Sequence, residues 1–176
     1  MSPITHALVG WVIAQPLVEK RDRFLVTAAA IMPDIDGMTF LAGVDTYQKY
    51  HHTFGHNIFT GIIFSAICLL MAKNKSQIFF ICFISFHSHL VFDLLGSGAD
   101  WGIYYLWPLS SYELKSAPPF QWELDSWQNL MTTFLFIVAI FIIGVKKGRT
   151  ILELISSRLD SVVVTVFKKW AIKSGN

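Results

Sequence analysis

The stretch Ile78–Gly96, I-F-F-I-C-F-I-S-F-H-S-H-L-V-F-D-L-L-G, constrains this chain more than any other. Its nineteen mostly apolar residues match the ~20 that cross a ~30 Å bilayer core as a helix. Its second half nevertheless carries His87, His89 and Asp93. Ionisable groups at membrane depth are expensive, so they face a bundle interior or a water-filled cavity. His89 and Asp93 are four apart and share one helical face, a geometry that suits two ligands of one metal ion. It equally suits a ligand and its orienting carboxylate, or a buried His–Asp hydrogen bond that only ties helices together. His87, two positions from His89, points elsewhere and reads as a helix-packing residue.

Composition extends the membrane reading to the whole chain. Of 176 residues, 53% are hydrophobic and only 15% charged, against about 25% charged in soluble domains. Net charge of +2 gives no footprint for nucleic acid. Cys68 and Cys82 lie in apolar runs and imply no disulfide.

The apolar runs and their breakers predict an all-α integral membrane bundle of about five short spans, near 5–18, 24–42, 57–72, 78–96 and 129–145. Residues 1–147 form the embedded unit, with Thr5 capping the first helix. Pro33 and Gly37 break the second span around Asp34 and Asp36. Within the unit, 97–127 is an aromatic interfacial cap that Pro108, Pro118 and Pro119 keep from being one helix. Residues 148–176 are a basic tail in which Ile151, Ile155, Leu159, Val162, Val163, Val166 and Trp170 follow a helical stripe. Such a helix lies on an anionic membrane face or packs on a second subunit, so a homo-oligomer is one reading.

Charge sets the orientation. With five spans, every Lys and Arg except Lys49 and Lys115 falls on the side holding the loops after the first, third and fifth spans. The positive-inside rule makes that side cytoplasmic, places the C-terminus there and puts the N-terminus outside. His6, Asp34, Asp36, His51, His52, His56, His89 and Asp93 then gather in the outer half of the bundle. Imidazole with carboxylate suits zinc, manganese or ferrous iron, and eight such groups suffice for one or two ions. A divalent cation held there with open positions supports hydrolysis through an activated water. His52 and His56 share a face if their segment is helical, whereas His51 and His56 meet only if it is a loop.

These residues resemble a family. Thr5-His6, Pro33-Asp34-Ile35-Asp36, His51–Asn57 (H-H-T-F-G-H-N), Ser88–Asp93 and Leu106-Trp107-Pro108 are similar, in order, to the motifs of the bacterial membrane-bound metal-dependent hydrolases. These are the DNA-damage-inducible inner-membrane proteins, distantly similar to zinc-dependent phospholipase C. The resemblance covers residues 1–112. It implies His6, Asp34, Asp36, His51, His56, His89 and Asp93 as ligands, with Asp36 or His51 alternatively the general base. It also implies a phosphodiester or ester of a membrane lipid or lipid-linked molecule as substrate, in the bacterial inner membrane. In the third motif His52, Gly55 and Asn57 stand where the family has Arg, Thr and Ser, so the bidentate phosphate grip of that Arg is missing. The competing reading is a non-catalytic protein whose His/Asp cluster is a structural metal site or a transport site.

Overall fold

The computed structural model describes residues 1–98, 101–117 and 119–173; Pro118 and the last three residues of the tail lie outside them. Seven α-helices occur among the described residues, with no strand beyond one isolated bridge between Ile103 and Leu114. They are α1 (Pro3–Ile13), α2 (Lys20–Ile31), α3 (Val44–Tyr50), α4 (Ile58–Met71), α5 (Ile78–Gly96), α6 (Trp127–Lys147) and α7 (Ser157–Lys173). Two 3-10 helices, Met32–Ala42 and Ile151–Leu154, follow α2 and α6.

Local chemistry sets these ends. Pro3 opens α1 with its preset φ, and Ser2, not Thr5, is the cap whose hydroxyl accepts from Thr5 N at 3.3 Å. Asn57 caps α4 by accepting from Thr60 N at 2.9 Å. α2 stops where Pro33 removes a backbone donor, and the chain tightens into an eleven-residue 3-10 helix. Runs of that length are uncommon, because the hydrogen bonds are poorer.

Three helical segments are long and apolar enough to cross a membrane, namely Lys20–Ala42, Ile78–Gly96 and Trp127–Lys147. α1 and α4, at 11 and 14 residues, reach about 16 and 21 Å by helical rise, short of the ~30 Å core. They complete the bundle by packing. α1 lies against α2, α5 and α6, and α4 against α5. Gly10 allows the α1–α2 approach, since a Cβ there would stand 2.5 Å from the Ala30 Cβ. One core cluster joins Leu25, Val26 and Ala29 of α2 to Cys68, Ile78 and Cys82; another joins Leu8 and Trp11 to Ile140. On α6 the side chains of Leu130, Phe134, Leu135 and Ile142 are exposed, an apolar face suited to lipid.

The basic turns meet at one end of the bundle. Buried Asp22 accepts from the backbone of Lys73 and Asn74 at 2.9 and 3.0 Å. Lys147 Nζ and Arg149 reach Gln15. The tail folds back on this end through Glu153, which is buried and accepts from Arg23 at 2.7 and 2.5 Å and from Trp11 Nε1 at 3.1 Å. Phe167 packs on Phe141, while Leu159, Val162 and Trp170 stay exposed along α7. The amphipathic helix therefore begins at Ser157, after a separate 3-10 turn, rather than at Ile151.

Candidate metal centre

The opposite end of the bundle collects the histidines and aspartates. α5 presents His89 and Asp93 one turn apart, with His89 Nε2 at 2.9 Å from Asp93 Oδ2. α1 lays His6 over them: its ring stacks on His89 at 3.6 Å, and its Nε2 stands 3.1 Å from Asp93 Oδ1. The amino nitrogen of Met1 also reaches Asp93. In the 3-10 helix, with three residues per turn, Asp34 and Asp36 point in different directions. Asp34 faces His89 across 3.5 Å, and Asp36 faces the 51–56 segment.

That segment is a loop, not a helix, and it wraps around Asp36. The buried carboxylate accepts from His51 Nδ1 at 2.8 Å, from His56 Nδ1 at 2.9 Å, and from the backbone of Thr53 and Gly55 at 3.2 Å each. Gly55 is required by this approach, because a Cβ there would lie 2.1 Å from the Pro33 carbonyl oxygen. His52 sits at φ 66°, a left-handed conformation that is uncommon outside glycine. The loop turns His51 and His56 onto the two oxygens of Asp36 and leaves His52 with its Nε2 3.6 Å from Asp93 Oδ2. Burial pushes the His52 imidazole down to about 3.

Asp34, His56, His89 and Asp93 each offer a ligand atom, and the four atoms lie within 4.8 Å of one another. The remaining expected ligands are placed around this group. Asp36 and His51 pair with each other, and His6 leans on Asp93 from the other side. His52, which lies outside the expected ligand set, is buried beside the group. His87 turns away from the cluster, with Nδ1 donating to the Phe83 carbonyl and Nε2 at 3.0 Å from the Tyr105 hydroxyl.

The donor chemistry fits a cation. His89 Nδ1 lies 2.6 Å from the Ala30 carbonyl oxygen, which can only accept, so Nδ1 carries the proton. His56 Nδ1 likewise faces the Asp36 carboxylate. With Nδ1 carrying the proton in each ring, both Nε2 atoms aim at one point, 3.2 Å from each other, with Asp93 Oδ2 at 3.3 and 2.9 Å. Three such atoms turned on each other are balanced by a positive charge among them, which either a proton shared with Asp93 or a bound cation supplies. Asp34 Oδ2 is also buried without a hydrogen-bond partner. The carboxylate–histidine arrangement made by Asp36 and His56 is the kind that orients metal-bound imidazoles.

The cluster is not sealed. A cavity of about 530 Å³ opens onto it, bordered by Asp34, Asp93, His51, His52, Tyr47 and Trp101. Tyr47 stacks on His51 at 4.5 Å and Trp101 meets it edge-on at 5.4 Å. Neither aromatic, nor Ser97, whose hydroxyl donates to Asp93 at 3.2 Å, is singled out by ligand-type residue patterns. The i,i+4 spacing from Asp93 is the one signal that points to Ser97.

Residues 1–171 match the family described as YdjM inner membrane protein, and the chain belongs to that family. No curated protein and no solved structure matches it.

Proposed function

We propose that this inner-membrane protein is a metal-dependent hydrolase that acts on an ester or phosphoester bond of a lipid or lipid-linked substrate. The observation that carries the reading is the pair of Nε2 atoms fixed by proton-donating Nδ1 contacts and aimed, with Asp34 and Asp93, at one point on a cavity wall. Asp34, His56, His89 and Asp93 hold one divalent cation; an imidazole–carboxylate set accepts zinc, manganese or ferrous iron, and the general affinity order places zinc above the other two. A cation there supplies Lewis acidity and an activated water. His51 is the general base: it borders the cavity, and Asp36 holds its Nδ1, leaving Nε2 free to take a proton. Asp36 is then the positioning residue for both His51 and His56.

The test is hydrolysis of a panel of lipid phosphodiesters and carboxyl esters by detergent-purified protein after zinc reloading. Turnover of at least one class, lost in His51→Ala with zinc retained, supports the reading. Stoichiometric zinc with no turnover of any class would instead leave a structural or transport site. Asp36→Ala is expected to lower zinc affinity 10–100-fold, the usual effect of removing an orienting partner. His87→Ala should leave it unchanged; equal losses in a zinc-competition titration would show that the wrong groups are assigned.

We also propose that the basic end is cytoplasmic and the metal centre extracytoplasmic, with the five apolar helices arranged alternately. The joining of the basic turns through Asp22 and Gln15, at the end opposite the histidines, supports this orientation. A membrane-impermeant thiol reagent applied from outside should label Cys placed at Ser110 but not at Asn74. The native Cys68 and Cys82 are buried. The reverse pattern would invert the topology.

A further inference from the structure

A second cavity, of about 550 Å³, lies between α1, α2, α4 and the turn at Ile151–Ile155. Its walls include Phe24, Ala28, Ile31, Ile35, Phe64 and Ile155. The volume falls in the range of small-molecule sites, ~300–1,000 Å³. Its acidic group is Asp34, which lines the metal-site cavity as well and is the one residue the two cavities share among those described. One oxygen of that carboxylate is buried with no partner. An apolar groove therefore runs up to a cluster ligand, and a polar cavity begins on the ligand's other side.

Length points to the occupant. Phe24 and Asp34 stand ten positions apart along one helical segment, about 15 Å at helical rise and half of a ~30 Å hydrocarbon core. That is the reach of one acyl chain. In a bilayer the surrounding medium is acyl chains, so an amphipathic ligand enters sideways with no water to cross.

We infer that the groove seats one acyl chain of a membrane lipid. The ester end of the chain lies at Asp34, the methyl end at Ile151–Ile155, and the headgroup in the cavity bordered by His51 and His52. This rests on the hydrolase reading only in making the lipid a substrate. The groove thereby selects lipids with a long chain attached close to the bond that is cut, and Ala28 and Ile155 set the accepted length.

The test uses the full chain, zinc-loaded, in bilayer nanodiscs doped with phosphatidylglycerol bearing a diazirine on one acyl chain. The diazirine sits either beside the ester or at the methyl end, and crosslinks are mapped by peptide mass spectrometry. The ester-side probe should label Ile31–Ile35, and the methyl-end probe Phe24 and Ile151–Ile155. Ala28→Trp fills the groove and should cut labelling by roughly tenfold, the factor for about two methylenes losing their seat. Labelling of the Leu130–Ile142 face should not change. Ile155→Trp lies at an exposed position, so it does not threaten the fold; it should reduce the methyl-end label alone. Equal labelling of groove and α6 by both probes, or unchanged labelling in Ala28→Trp protein of normal zinc content, overturns the inference. Labelling needs no turnover. Registered crosslinks without hydrolysis therefore sink the hydrolase reading and keep the acyl seat, and hydrolysis without register does the opposite.

Discussion

Asp93→Ala protein is expected to insert normally and to lose zinc. Asp93 is the hub of the cluster: His6, His52, His56 and His89 all lie within 3.6 Å of its oxygens. A four-ligand structural zinc site is worth ~10–16 kcal/mol, so one ligand in four contributes about 3 kcal/mol, a hundredfold or more in affinity. The loss should exceed this, because Asp93 also balances the charge of the cation. Asp93→Asn keeps the shape and removes the charge; it should fail nearly as badly, which separates coordination from packing. Competition with a chromogenic chelator measures both. Near-normal affinity in either variant would remove Asp93 from the ligand set.

The second large effect lies at the other end of the bundle. Glu153 anchors the tail to α1 and α2 through Arg23 and Trp11. Breaking a buried ion pair by removing one partner costs about 3–5 kcal/mol. Arg23 retains the carbonyls of Leu17 and Val18 at 3.0 and 2.6 Å, so the lower figure applies to Glu153→Ala. At about 2–4 °C per kcal/mol for a chain of this size, Tm should fall by roughly 6–12 °C at pH 7. The pH dependence has a definite sign. Burial pushes the Glu153 carboxyl up, but the Arg23 hydrogen bond and charge outweigh it and hold the carboxyl below its ordinary value. A carboxyl depressed in the folded state stabilises it above the unfolded pKa of about 4.3. That contribution fades as pH falls through the lower, folded value. The gap between wild type and Glu153→Gln should therefore hold from pH 7 to about 5 and close below about 4. A gap that widens on acidification would show that the ion pair is not the anchor.

Much of the architecture is legible from local chemistry. α5 spans the residues its apolar run predicts, Ile78–Gly96, because that run is bounded by polar Ser76-Gln77 and by Gly96-Ser97. α4 and α6 lie within two residues of their runs at each end. The five-span count is less readable. Three segments are long enough to cross; α1 is cut short ahead of Pro16, whereas α4 fills an apolar run that is itself shorter than a span.

The site divides in the same way. His89 and Asp93 announce themselves by i,i+4 spacing inside an apolar helix. The different parts taken by Asp34 and Asp36 cannot be read from Pro-Asp-Ile-Asp. They depend on a 3-10 turn and on which distant loop meets each side. The positions of His51 and His52 likewise follow from one positive φ and from Gly55 pressed against Pro33. The tail's anchor was hidden for another reason. Glu153 is a lone acid in an apolar stripe, and its partner Arg23 lies 130 positions away among surface-type charges.

The measurement that most directly tests the central claim is the X-ray absorption spectrum at the zinc edge of the loaded wild-type protein. A shell of nitrogen and oxygen only is expected, at about 2.0–2.2 Å, with the outer-shell scattering of two imidazoles. A shell of oxygen without imidazole, or one containing sulfur at about 2.3 Å, would contradict that claim.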